Sequence, residues 1–226
     1  MRGIELRDAR VHYGPLEALH GLTLAAPAAA LTVLLGRNGS GRTTTLRALA
    51  GTVALTAGAV VLDGRDVTHR PAHARAADGV CLVPDRQAVF ASLTVAENLQ
   101  LPGGAGGLSR ALDAYPELRP LLARRAGTLS GGEQRMLALS RALLPDTRVI
   151  LADEPTQGMA PSVAARTYAL LAGTGACVVL AEQRLPSALR AGAGRAAVVH
   201  ELRRGAVVFS GEPGEVSPAR PRDAPE

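Results

Sequence analysis

The segment that most limits how this chain can fold is 31–44, LTVLLGRNGSGRTT. A short, apolar, β-favouring run ends at a glycine, and a second glycine precedes a stretch of helical character. The chain must therefore leave a strand, turn sharply back and re-enter as a helix. Gly36 and Gly41 have the spacing of the GxxxxGK[ST] phosphate loop, with Asn38, Gly39 and Ser40 between them and Thr43 in the hydroxyl position. Backbone N–H groups in such a turn converge, and the helix adds the positive end of its dipole, so the two together attract phosphate. Thr43 is then expected to face a magnesium ion and Thr44 the phosphate edge. Position 42, where the pattern has Lys, holds Arg. Arg keeps the charge but adds bulk and a planar fork with other hydrogen-bond directions, which puts hydrolysis more at risk than binding. Taken alone, the loop leaves two readings open: a nucleotide site, or a glycine-rich strand-to-helix turn without a ligand.

Two further segments narrow the choice. Residues 149–154, VILADE, have the pattern of a buried strand ending in adjacent carboxylates. Neighbours at a strand end point in different directions, so Asp153 can hold magnesium or its water while Glu154 polarises the water that attacks a γ-phosphate. An acidic helix cap is the alternative for such a pair standing alone, and an upstream phosphate loop weakens it. Residues 129–134, LSGGEQ, set Ser130, Gly131 and Gly132 directly ahead of a helix, a second anion-attracting helix start with no Lys of its own. Two such helix ends fit poorly with one nucleotide per monomer. Head-to-tail dimerisation resolves this, each LSGGEQ covering the triphosphate on the other subunit's loop.

The rest of the chain reads as α/β with a mainly parallel sheet covered on both faces, because short apolar runs without strict alternation are separated by helical patterns. Residues 4–24 suggest a hairpin turning at Tyr13-Gly14-Pro15. Further strands are expected at 60–62, 80–83, 149–152, 177–181, 196–199 and 206–209. Helices are expected at 43–50, 93–99, 131–144 and 163–171, with Thr94 and Glu97 forming a capping box. Leu108, Leu112, Tyr115 and Leu118 suit short helices within a helical subdomain at about 92–144, jointed at PGGAGG (102–107). One domain spans 1–226, with a frayed, Pro-rich tail at 217–226.

Composition removes several function classes. Aromatic residues make up only 2% and Trp is absent, which argues against base-stacking nucleic-acid platforms. No run approaches the ~18 uninterrupted apolar residues of a spanning helix, so membrane contact is expected to be peripheral. All 25 basic residues are Arg, and the net charge of +5 suits an acidic partner or membrane surface. Cys81 and Cys177 lie in apolar runs and read as buried thiols, and His12, His20, His69, His73 and His200 are too dispersed for a metal site. Arg110, Arg119, Arg124, Arg125 and Arg135 read as a solvated basic face, and Glu201, Arg203 and Arg204 as a solvated turn.

GRNGSGRTTTL, LSGGEQ and ILADEP, in this order, make the chain resemble the ATP-binding subunit of an ABC transporter over nearly its whole length. The resemblance implies a P-loop NTPase-type sheet with flanking helices, an N-terminal antiparallel β portion and a small helical subdomain. VPDRQAVFASLTVAENL, GMAP (158–161) and AEQR (181–184) resemble one branch more closely, the subunits of branched-chain amino-acid importers and their urea or amide relatives. Carried over by position, Tyr13 stacks on adenine. Gly36, Asn38, Gly39, Ser40, Gly41, Arg42, Thr43 and Thr44 hold the phosphates, and Ser130, Gly131 and Gly132 close the site in trans. Thr43 and Asp153 bind magnesium, and Glu154 activates water. Asp85 stands where most relatives have the Gln that touches magnesium and water, and Gln183 where most have a γ-phosphate-sensing His. The implied cofactors are ATP and Mg2+. The implied partners are a head-to-tail dimer with itself or a second ATPase subunit, integral membrane permease subunits and, indirectly, an extracytoplasmic solute-binding protein, with no nucleic acid. The implied function is ATP hydrolysis driving import, of branched-chain amino acids, at the cytoplasmic face of the membrane. Arg42 motivates an alternative, a nucleotide-dependent interaction or regulatory subunit with weak or no hydrolysis. The stretch 98–126 is shorter than in these relatives, which bears on permease docking.

Overall fold

The computed structural model describes residues 3–28, 30–101, 107–143, 146–190 and 195–216. Its strands are β1 (Gly3–Tyr13), β2 (Leu16–Pro27), β3 (Leu31–Leu35), β4 (Ala57–Leu62), β5 (Arg65–Asp66), β6 (Val80–Val83), β7 (Val149–Asp153), β8 (Cys177–Glu182), β9 (Ala197–Arg203) and β10 (Ala206–Gly211). Its helices are α1 (Arg42–Ala50), α2 (Ala72–Ala77), α3 (Val95–Gln100), α4 (Gly107–Ala114), α5 (Gly131–Ala142), α6 (Pro161–Ala172) and α7 (Ser187–Arg190).

The strands form two sheets. The alternating N-terminal residues make an antiparallel sheet ordered β2-β1-β4-β5, and the apolar runs make a second sheet ordered β10-β9-β3-β8-β7-β6. In the second sheet all neighbours are parallel except the β9–β10 hairpin. Every residue of β3, β7 and β8 is buried, as expected for central strands covered on both faces. Successive side chains serve opposite faces. Leu31 and Val33 pack with Val178, Leu180, Leu137 and Tyr115 on the side of α3–α6, whereas Leu34 packs with Val179, Leu46 and Leu49 between α1 and the antiparallel sheet.

The capping box at Thr94 forms as expected, with Glu97 N–H donating to the hydroxyl and Thr94 N–H to the Glu97 carboxylate. Three expectations need correction. Glu201 and Arg203 belong to β9, and only Arg204 and Gly205 turn, both with positive φ; Glu201 pairs with Leu35 of β3 and Phe209 of β10 and Arg203 with Ala206 of β10, while Arg203 stays exposed as expected. Cys81 is only partly buried, whereas Cys177 is fully buried and its thiol is pushed up to about 11 by burial. The third, Arg135, belongs with the site below. Helix α2 was not anticipated. It carries Arg75, whose buried guanidinium donates to the carbonyls of Ala48, Leu49, Thr68 and Arg70. Most of the joint at 102–107 and all of the tail at 217–226 lie outside the described residues. No described helix is long and apolar enough to cross a membrane.

Candidate functional site

The carboxyl ends of β3, β7 and β8 lie side by side, with Leu35 opposite Glu182 and Asp153 opposite Ala181. Loops leaving parallel strands at this edge commonly build ligand sites. Here they enclose a cleft of about 390 Å³ lined by residues 37–44, Asp85, Arg86, Asp153, Glu154, Gln157 and Gln183.

Tight backbone contacts shape the phosphate loop. A Cβ on Gly36 would meet the Leu202 carbonyl and Ser40 Oγ at 2.6 Å, and Gly41 turns the chain with φ 103°. The turn of the β9–β10 hairpin walls the loop from outside. Gly205 N–H donates to the Ser40 carbonyl at 2.9 Å, and the Gly205 carbonyl accepts from His20 of β2 at 3.0 Å. Helix α1 starts at Gly41 with no side-chain cap, so its first-turn N–H groups are not taken by a capping side chain.

The predicted pair of acidic residues faces this loop. Thr43 Oγ1 donates to Asp153 Oδ2 at 2.7 Å. Arg42, 5% exposed, donates from Nη2 to Glu154 Oε1 at 3.2 Å, and Gln183 Nε2 donates to the same oxygen at 2.8 Å. Glu154 has a left-handed backbone, φ 47°, fixed by its N–H donating to the Ala181 carbonyl. That conformation is uncommon for a residue with a Cβ and marks a strained turn at the strand end. Burial raises the Asp153 pKa, with the Thr43 hydroxyl opposing. Burial likewise pushes Glu182 up to about 7, opposed by the hydrogen bond from Tyr168.

The cleft fits a triphosphate and a hard cation. Arg42 Nη1 and Ser40 Oγ are buried with no hydrogen-bond partner among the described residues, a costly state that acceptor oxygens relieve. The Thr43 hydroxyl and Asp153 carboxylate are oxygen donors of the kind magnesium takes alongside phosphates. No group of three or more His, Cys, Asp or Glu residues that could hold a metal occurs among the described residues.

The remaining expected residues divide between the cleft and its surroundings. Asp85 reaches the cleft, held by Arg135, whose guanidinium donates to the carbonyls of Pro84, Asp85 and Asp153. Arg135 is therefore buried, at 6% exposure, and does not belong to the solvated basic face that Arg110, Arg119, Arg124 and Arg125 present. Its place just after LSGGEQ was the available signal. Tyr13 ends β1, 42% exposed, and does not line the cleft. Ser130, Gly131 and Gly132 do not line it either. They begin α5, where Ser130 Oγ accepts from Glu133 N–H and Glu133 Oε2 accepts from Ser130 N–H. A Cβ on Gly132 would lie 2.6 Å from the Gly158 carbonyl. Sequence reading missed Tyr168 and gave Glu182, within the AEQR stretch at the end of the apolar run CVVLA, no role of its own.

A family model described as ABC transporter matches residues 19–157. BraG of Pseudomonas aeruginosa, a high-affinity branched-chain amino acid transport ATP-binding protein, is 33% identical over 189 residues, 79% of this chain and 81% of that protein. LivF of Archaeoglobus fulgidus is 40% identical over 141 residues, 59% of this chain and 60% of LivF, so this match spans less than two thirds of that relative. Among solved structures, an ATP-binding cassette of an ABC transporter superposes with TM-score 0.78 at 23% identity, covering 94% of this chain and 92% of that one. A dimeric ATP-binding cassette bound to ADP and Pi superposes with TM-score 0.79 at 22% identity, covering 92% and 98%. At these identities the likeness is one of fold.

Proposed function

The chain belongs to the ABC transporter ATP-binding family, and from that premise we propose that it hydrolyses ATP to drive import of branched-chain amino acids through separate permease subunits, docked at the cytoplasmic face of the membrane. The observation that carries the reading is the single cleft in which Arg42, Thr43, Asp153, Glu154 and Gln183 converge. Family membership supports ATP binding and an ATPase class. The names of BraG and LivF support the amino-acid substrate.

In this reading the phosphates take the N–H groups of the loop and the first turn of α1, together with Ser40 Oγ and Arg42 Nη1. Bound magnesium supplies positive charge to the β- and γ-phosphates, with Thr43 and Asp153 as its protein-side oxygen donors. A triphosphate draws Arg42 off Glu154, which leaves that carboxylate positioned by Gln183 and able to accept a hydrogen bond from the attacking water. Tyr13 stacks on adenine, and Asp85 acts from the loop that Arg135 anchors. Ser130, Gly131 and Gly132 of a second subunit close the site, in a homodimer or with another ATPase subunit. Permease contacts are assigned to 85–90, where Phe90 is 50% exposed, and to the short helices of 108–125. A solute-binding protein joins only through the permease. The whole chain acts as one ATP-binding domain, with 92–144 as its helical subdomain.

The Arg42–Glu154 ion pair favours a second reading, a nucleotide-binding regulatory subunit whose carboxylate stays engaged. Phosphate release, measured beside binding of a fluorescent ATP analogue, separates the two. Turnover well above that of Glu154→Gln supports the ATPase. Tight binding with turnover equal to that variant supports the regulatory subunit.

A further inference from the structure

The segment from Pro155 to Ala160 joins Glu154 to α6, and α6 grips it at two adjacent residues. Tyr168 Oη donates to Glu182 Oε1 at 2.6 Å and lies 2.9 Å from Thr156 Oγ1. The tyrosine has one proton, which Glu182 takes, so Thr156 is the donor to Tyr168. Next to it, fully buried Thr167 donates to Met159 Sδ and pairs with Tyr115 Oη at 3.0 Å. Glu182 directly precedes Gln183, the residue that bonds Glu154. Thr156 is two residues beyond Glu154. The Tyr168 hydroxyl is thus one atom tied to both segments that carry the reacting-water machinery. Tyr168 is 5% exposed and does not line the cleft, so it acts through other residues.

We propose that Tyr168 is a positioning residue, holding the Glu154 and Gln183 segments in register through the chain Thr156–Tyr168–Glu182. The two loops leave neighbouring strands, β7 and β8, and beyond the strand ends the Glu154 N–H to Ala181 bond, the Gln183 to Glu154 side-chain bond and this chain tie them together. Loss of the central hydroxyl frees each loop to drift, and small misplacement of a water-orienting carboxylate is costly in rate. Nucleotide affinity, which rests on the phosphate loop, is left alone.

The test uses the full chain as wild type, Tyr168→Phe, Thr156→Val and Thr156→Ser. Tyr168→Phe keeps the ring and removes both hydrogen bonds; Thr156→Val removes one at a half-buried position and guards against a folding defect at residue 168. The kinetic arm rests on the ATPase reading, and the exchange arm does not. Amide hydrogen exchange of the nucleotide-free protein is expected to rise together in 155–160 and 183–186 for Tyr168→Phe and Thr156→Val, and to stay at the wild-type level for Thr156→Ser. In steady-state hydrolysis, Tyr168→Phe is expected to lower kcat roughly tenfold with KM within about twofold, while Thr156→Ser retains wild-type kcat. Exchange that rises in only one segment, or in neither, overturns the proposal, as does a Tyr168→Phe protein with unchanged kcat. Wild type without Glu154-dependent hydrolysis overturns the ATPase reading, and the exchange result then decides the positioning role by itself.

Discussion

The chain enters two helices through glycine-rich turns and finishes them in opposite ways. At α1 the cap position is Gly41, no side chain caps the first turn, and a buried serine hydroxyl and a buried guanidinium nitrogen nearby have no partner. At α5 the cap is Ser130, and a complete capping box with Glu133 satisfies both ends of the exchange. The electrostatics diverge as well. Burial raises Asp153 and Glu182 beside the first turn, whereas the Ser130 N–H and hydroxyl hold the Glu133 carboxyl below its ordinary range. One turn is therefore prepared to receive an anion and unfinished without it. The other is complete alone and able to serve a neighbouring molecule without costing its own subunit stability. An isolated subunit with both turns unfinished carries two desolvated, unsatisfied helix ends, and this fold carries one.

The strongest way to break the contrast is at the unfinished end. Glu154→Gln is expected to lower kcat by roughly a hundredfold or more, about 2.7 kcal/mol, while nucleotide still binds. Size-exclusion chromatography with ATP should then show a trapped dimer, which the added change Ser130→Arg abolishes. A dimer that survives the double variant contradicts the head-to-tail arrangement.

Glu182 gives the next effect. Its folded pKa, about 7, lies above the ordinary 4.5, so its contribution is fully present at pH below 4.5 and is lost as pH rises through 7. Glu182→Gln should remove that loss and gain on the order of 2 kcal/mol over wild type between pH 5 and pH 8 in denaturant melts. Glu133, shifted the other way, contributes stability that is present above its unfolded pKa and lost as pH falls. The two turns therefore respond to pH with opposite signs.

Arg42→Lys follows, with an expected rise in hydrolysis of about tenfold, or about 1.4 kcal/mol, because a slimmer cation leaves Glu154 more readily. Equal kcat/KM at saturating magnesium would show that the loop has adapted to Arg.

The smallest effects come from two serines, one at each helix start. Ser130→Ala should cost the nucleotide-free protein about 1 kcal/mol through the lost cap. Ser40→Ala, which removes a hydroxyl without a partner, should leave the nucleotide-free protein's thermal stability unchanged or raised and weaken ATP-analogue binding instead.

What the sequence made visible tracks how local the cause is. The β3–loop–α1 unit and the Asp153-Glu154 end of β7 could be read because buried apolar runs there are punctuated by glycines or carboxylates within a few residues. The box at Ser130 follows the same local rule. Arg75 and Arg135 were opaque because arginine looks solvated in sequence, and only carbonyls brought from distant elements make it a buried bracket. Tyr168 and Glu182 were opaque for a related reason: their hydrogen bond joins a helix to a strand, and no periodicity announces it. Glu201 and Arg203 misled because their charges hid the pairing of β9, Glu201 with β3 and Arg203 with β10.

The bond from Gly205 to Ser40 has a consequence for the order of events at birth. Residues 36–44 leave the ribosome early, and the hairpin turn that walls them is synthesised late. At about 5–20 residues per second the gap between loop and wall is on the order of 10–30 s. During that interval the loop lacks its outer wall, and for most of it β3 lacks its sheet neighbours β8 and β9. A nascent or prematurely released chain therefore lacks the wall that the hairpin turn gives residues 36–44, and the proposed phosphate site is completed only with the closing strands.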